Sequence, residues 1–201
     1  MKHLRTLKLA AAASVIPFFG AFAVDGDVEA TASFRVALTV TQTSVLAFNA
    51  TGPRTDFTGT PDTSEIIVRT DGTRSVTGGF YILPATGTAT PGILEITGTP
   101  AETVNIACDD TAILSRGAGQ TIVLSAIEID TTGGVNTAAT DCDAAGLTTP
   151  AIASVAIPGP GVLAVNIGGR IVANSGAGVS AGVYSTSGAG GDPVTLRVLY
   201  N

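Results

Sequence analysis

The chain has 201 residues, 45% of them apolar but only 5% aromatic, and a formal net charge of −6. Its single histidine, His3, and its only lysines, Lys2 and Lys8, all lie at the extreme N-terminus, and tryptophan is absent. Beyond that stretch the usual general base, the Schiff-base amine and the commonest metal ligand are missing, which argues against most enzyme classes and leaves a non-enzymatic, structural role as the leading expectation.

Residues 1–23 read as a secretory signal peptide. Lys2, Arg5 and Lys8 form a basic start, Leu9 to Phe22 an apolar stretch, and Ala21-Phe22-Ala23 places small residues where a signal peptidase requires them. Pro17 and Gly20 interrupt the apolar run, which falls short of a bilayer span of roughly 20 residues, so no membrane insertion is expected after cleavage. Cleavage leaves seven arginines against 16 acidic residues, a net charge of −9. A chain of that sign without lysine has no phosphate-tracking surface, so nucleic acid is not an expected partner.

Residues 24–33, small, polar and acidic, read as a flexible leader. From Phe34 onward, short β-branched runs recur between Gly, Pro, Asp and Asn, and no stretch keeps apolar residues at helical spacing. This pattern predicts an all-β sandwich or barrel, as one domain over residues 34–201. Phe34, Val36, Leu38 and Val40 alternate as in a strand with one buried face. Val45–Phe48 is a second short run. Glu65–Thr70 leads into Asp71-Gly72, a two-residue hairpin signal, and returns through Arg74-Ser75-Val76. Further strands are expected at Phe80–Leu83 and Ile93–Thr97, then at Thr103–Cys108 and Gln120–Ile129 around an Arg116–Gly119 turn. Thr131–Pro150 reads as a loop. Ile152–Ile157 and Val162–Ile167 follow, split by Pro158-Gly159-Pro160-Gly161, and the last strand carries Val194, Leu196, Val198 and Tyr200 on one face. Cys108 and Cys142, the only cysteines, are expected to pair in an exported chain.

Gly178-Val179-Ser180-Ala181-Gly182 matches the Gly-x-Ser-x-Gly elbow of hydrolases, but no histidine or lysine remains to take the serine proton, so it reads as a turn. Gly117-Ala118-Gly119 and Gly159-Pro160-Gly161 read as turns for want of a following helix or lysine. Asn49-Ala50-Thr51 fits a glycosylation sequon. A Cys108–Cys142 bond would draw Asp109 and Asp110 toward Asp141 and Asp143. That cluster reads first as a solvated acidic loop and second as a Ca2+ site, since hard cations take several carboxylate oxygens. No cofactor is expected.

Six segments in order carry a family resemblance. They are Leu46-Ala47-Phe48, Arg74-Ser75-Val76-Thr77-Gly78-Gly79, Ile96-Thr97-Gly98-Thr99-Pro100, Leu163-Ala164-Val165-Asn166-Ile167-Gly168-Gly169, Ala181-Gly182-Val183-Tyr184-Ser185 and the terminal Val194–Asn201. Together they resemble the DUF4402 domain family of secreted bacterial proteins, over roughly residues 30–201. The last two are also similar to the ends of spore-coat-U-like and Csu-type pilin subunits. That similarity implies an immunoglobulin-like, pilin-like β-sandwich carried from periplasm to cell surface by a periplasmic chaperone and an outer-membrane usher. The central position of both cysteines and the Thr131–Pro150 loop depart from the pilin pattern.

The expected function is a structural subunit of an extracellular filament, pilus or coat, with other copies of the chain or related subunits as partners. Phe34, Val36, Leu38 and Val40 would be donated to a neighbour's sheet by strand complementation, and Val194, Leu196, Val198 and Tyr200 would form the receiving or chaperone-bound edge. The alternative is a self-contained sandwich that binds a sugar, a surface or Ca2+ through its loops.

Overall fold

Runs of Val, Ile and Thr favour a pleated, half-buried backbone over a helix. The computed structural model describes residues 35–49, 63–78, 89–117, 119–135, 138–142, 153–174 and 183–201, and among these it has strands and no α-helix. The strands are β1 (Thr39–Ser44), β2 (Thr63–Val68), β3 (Arg74–Thr77), β4 (Gly92–Thr97), β5 (Thr103–Cys108), β6 (Ala112–Gly117), β7 (Gln120–Asp130), β8 (Thr140–Asp141), β9 (Ala153–Ala156), β10 (Val162–Asn174) and β11 (Leu196–Tyr200). The signal peptide, the leader, Phe34, the Phe80–Leu83 run, Asp143 and the Gly178–Gly182 turn lie outside the described residues, as does the whole 143–152 stretch.

The strands form two antiparallel sheets. A small one has the order β11-β5-β9. The large one runs β1-β4-β10-β2-β3, with β7 also on β10, and β6 and β8 on β7. Asn166 and Ile167 pair with β4 and β7 at once, and Ile171 pairs with β2 and β7 at once. Each residue has only two edges, so β4 and β2 occupy successive stretches of one edge of β10 while β7 holds the other. The handover falls at Gly168-Gly169, where there is no room for a side chain: a Cβ at Gly168 would lie 2.7 Å from the Val68 carbonyl oxygen and 2.8 Å from Glu128 Oε1.

On β7 the buried residues change phase, from Ile122 and Leu124 to Ile127 and Ile129. Strict alternation would turn one of these pairs to solvent. An extra residue at Ala126, with φ of +46°, absorbs the difference: Gly168 faces Glu128 while Arg170 faces Ser125. The inner faces of both sheets then share one core. Leu163, Val165 and Ile171 of β10 meet Val104 and Ile106 of β5, with Ile66, Ile96 and Leu124 around them. The protein is thus a β-sandwich, and Arg35–Asn201 is one compact unit.

Cys108, at the end of β5 in the small sheet, is bonded to Cys142, which directly follows β8 of the large sheet. The expected disulfide therefore staples the two layers, and the Cys142 amide donates to the Ile127 carbonyl at 2.8 Å.

Several boundaries differ from those the sequence predicts. The first strand starts at Thr39 rather than Phe34, and Val45–Phe48 contributes only the Ala47–Thr90 bridge. The stretch read as leading to the Arg116–Gly119 turn is itself β6, and Thr140–Asp141 in the expected loop pairs with β7. The β2–β3 hairpin closes with three residues, not two: Arg69 N–H donates to Thr73 O, leaving Thr70-Asp71-Gly72 as the loop with Gly72 at φ +80°. β10 runs past Ile167 to Asn174 because it also carries the β2 ladder, from Gly169 to Asn174. The outer edge of β6 is covered by the Ser185–Asp192 loop, through bridges Ile113–Asp192 and Ser115–Ser185.

Replacing both Cys108 and Cys142 by serine should lower the unfolding free energy by about 3–4 kcal/mol, the loop-closure value for about 34 residues. Chemical denaturation of the two proteins checks this.

Candidate functional site

The most elaborate side-chain arrangement lies where the first described residues meet the last strand. The Tyr200 hydroxyl donates to the Val36 carbonyl at 2.7 Å and accepts from the Thr99 amide at 2.7 Å. The Val36 amide donates to Thr99 Oγ1 at 2.6 Å. Arg35 lies over the Tyr200 ring, 5.1 Å from its centroid, and pairs with Glu102 at 3.1 Å. Both partners of that ion pair are substantially exposed, so it adds at most about 1 kcal/mol. The hydrogen bonds through the phenol carry more of the specificity, because a hydroxyl drawn partly out of water needs partners.

This clasp has a glycine at its centre. A Cβ at Gly98 would come within 2.6 Å of Ile157 Cδ1, 2.7 Å of Tyr200 Oη and 2.8 Å of Leu38 Cδ2. The Gly98 amide also donates to Gly161 O at 3.0 Å, which ties in the Pro158–Gly161 turn. Two of the segments quoted for the family resemblance, Ile96–Pro100 and Val194–Asn201, therefore meet here. A third contact joins two others: Arg74 Nη1 donates to the Phe48 carbonyl at 3.1 Å and to the Asn49 carbonyl at 2.8 Å.

Beyond the clasp, β1 runs away from Tyr200 and β11 runs toward it. Each has a ladder on one side, β1 with β4 and β11 with β5, and no ladder joins the two among the described residues. Their inward side chains are incompletely covered. Val40 stands opposite Ile96, which is fully buried, and so points to the core side, yet it is 44% exposed. Leu196, Val198 and Tyr200 stand opposite buried Cys108, Ile106 and Val104, and are half-buried. The strands are the two walls of a seam between the sheets, closed at one end by the clasp.

The structure thus brings together most of the residues expected to mediate strand complementation. Leu38, Val40, Val194, Leu196, Val198 and Tyr200 flank or line this seam or pack on the core beside it, while Val36 is 55% exposed with its backbone held in the clasp. Phe34 lies outside the described residues. Thr99, Glu102, Arg35 and Gly98 were not singled out as site residues from the sequence. Their partners are distant in the chain, and only the Gly-Thr-Pro segment gave a signal.

The acidic candidates are arranged differently. Asp109 and Asp110 follow Cys108, and Asp141 precedes Cys142, but among the described residues no three His, Cys, Asp or Glu side chains are grouped to hold a metal ion. Asp143 lies outside the described residues. Two other carboxylates are more constrained. Burial alone would raise the Asp130 carboxyl, but donation from the Thr132 hydroxyl and from the amides of Thr132, Val135 and Gly134 outweighs it and holds the group below its ordinary 3.8. Glu128 moves the other way. Burial pushes it above its ordinary 4.5 despite the Thr70 amide at 3.3 Å and Arg69 at 3.7 Å. These groups shape the Thr131–Val135 loop and the β2–β3 hairpin.

A family described as "Domain of unknown function (DUF4402)" matches residues 38–190. No curated protein and no solved structure matches the chain.

Gly98→Ala should destabilise the fold by about 1–3 kcal/mol, the cost of forcing a methyl into a filled site. Thermal or chemical denaturation measures it. Asp130→Asn should cost about 1–3 kcal/mol at neutral pH, because donors are left facing a weaker acceptor. A carboxyl with a lowered folded pKa contributes stability above its unfolded pKa, and that contribution is lost as pH falls through the folded value. The difference between wild type and Asp130→Asn should therefore shrink on acidification below the ordinary 3.8, as followed by urea unfolding at several pH values.

Proposed function

Because the chain belongs to the DUF4402 family, whose function is not assigned, we propose from its own geometry that it is a non-enzymatic structural subunit of an extracellular filament or surface coat, assembled by β-strand complementation. The observation that carries this reading is the seam between β1 and β11, where Val40, Leu196, Val198 and Tyr200 point inward but stay partly exposed. An extended strand laid there would bond to strand edges that carry no ladder among the described residues and bury alternate apolar side chains, which is the physics of β-augmentation.

The donor in this reading is the N-terminal segment of another copy. Leu38 packs on this chain's own core and Val40 belongs to its own β1. The donated part therefore lies ahead of the clasp, with Phe34 and the leader at residues 24–33. A strand edge left open on the way to assembly invites indiscriminate pairing. A periplasmic chaperone that covers the β11 edge, followed by an outer-membrane usher, fits that need. The disulfide fits an oxidising compartment, and no helix among the described residues is long and apolar enough to cross a membrane. Cleavage at residue 23 would deliver the chain to the periplasm and from there to the cell surface.

The clasp favours a second reading, a self-contained binding module. It joins the first described residues to the last strand within one copy. The two readings separate in light scattering after size exclusion, run on the exported protein with and without residues 24–34. A filament subunit should form large, SDS-resistant oligomers that disappear on truncation while the sandwich stays folded. A protein that is monomeric in both forms sinks the filament reading and leaves the binding module.

A further inference from the structure

The first strand is weakly held along its length and strongly held at its start. From Thr39 to Thr43 every residue of β1 is exposed, and it has one ladder partner among the described residues. Its register against β4 breaks between Gln42 and Ser44. Past the break the chain is anchored again, by Ser44 Oγ donating to Pro91 O at 3.0 Å and by the Ala47–Thr90 bridge. Before β1 lies the clasp, in which one hydroxyl bonds both to the first segment, at Val36, and to the turn after β4, at Thr99.

We infer that the Tyr200 hydroxyl is the fastening that keeps the first strand in its own sheet, and that residues 35–43 come away as a unit when it opens, hinging at Ser44. The inference stands on the clasp alone, and it extends the strand-complementation reading without requiring it. With the clasp open, Leu38 and Val40 leave the seam wall together and the edge of β4 is bared beside buried Ile96. The seam then widens by one strand. Because the hydroxyl belongs to β11, anything that shifts β11 also loosens β1. The two walls are mechanically coupled across a boundary that no ladder crosses among the described residues.

Native-state amide hydrogen exchange on the exported full chain tests this, comparing wild type with Tyr200→Phe. The substitution keeps the ring under Arg35 and deletes the hydroxyl. Losing its hydrogen bonds to Val36 and Thr99 should speed exchange of the Thr39–Gln42 amides by about 10- to 30-fold. The Ile122–Ile129 amides of β7 serve as the internal gauge and should change by less than about threefold, since local opening is independent of global unfolding. Arg35→Gln, which leaves the phenol in place, should accelerate β1 by only about two- to fivefold. Equal acceleration of β1 and β7 in Tyr200→Phe would overturn the inference, showing the hydroxyl to be an ordinary stabilising group. So would unchanged β1 exchange, or β1 amides already unprotected in wild type. Selective loosening of β1 in a protein that stays monomeric at every concentration would uphold the fastening and remove the filament reading.

Discussion

Two ladders share one edge of β10 and a third takes the other, so the strand order of the large sheet is decided along Val162–Asn174, where one ladder gives way to the next at Gly168-Gly169. Before that handover, Leu163, Val165 and Ile167 face the core beside β4. After it, Ile171 faces the same core beside β2. The odd-numbered phase is kept throughout, which is possible only because the compensating extra residue sits on β7 at Ala126. A side chain at residue 168 would meet the Val68 carbonyl and the Glu128 carboxylate together. The glycine pair is therefore a requirement of the topology.

The clasp and the disulfide act at opposite ends of the same strand pairing. Leu196 is registered with Cys108, whose sulfur reaches the large sheet, and Tyr200 is registered with Val104, whose neighbourhood holds Arg35 and Val36. β11 is thus held near its start by a partner strand that is bonded covalently to the large sheet, and at its end by its own hydrogen bonds to Val36 and Thr99. Between those points its outer edge has no ladder among the described residues. A seam bounded in this way has a fixed length and one closed end, so an incoming strand would meet a defined register.

Much of this was legible in the chain. The alternation of Leu196, Val198 and Tyr200 placed the last strand and its buried face, and Asp71-Gly72 placed a hairpin. The phase change from Leu124 to Ile127 carried the bulge, although only a strict count of periods would reveal it. β6 was hidden because its two buried residues, Ala112 and Ser115, are three apart and one is polar. Ser115 is tolerated there only because its hydroxyl donates to Ala189 O at 2.6 Å and accepts from the Gly117 amide. The start of β1 was misplaced for a non-local reason. Phe34–Val40 alternates like a strand, but Arg35 and Val36 are claimed by Tyr200 and Glu102, far along the chain. The site followed the same logic: its apolar walls could be read from periodicity, and its polar closure could not.

The arginines carry a further consequence. After residue 23 the chain has no lysine, and among the described residues at least five of its seven arginines are engaged by the fold. Arg35 is stacked in the clasp, Arg69 pairs with Glu128, Arg74 caps two carbonyls, Arg116 donates to Gln120 Oε1 and Arg170 reaches Glu65. An enzyme that cuts after basic residues needs several residues of extended, accessible backbone around each target. Here Arg74 and Arg170 lie within paired strands, and Arg35 is tied down on both sides of its ring contact. Were the chain cleaved after residue 23 and displayed outside the cell, as proposed, it would offer no lysine side chain to amine-directed cross-linking, and these three arginines would be poor targets for trypsin-like digestion.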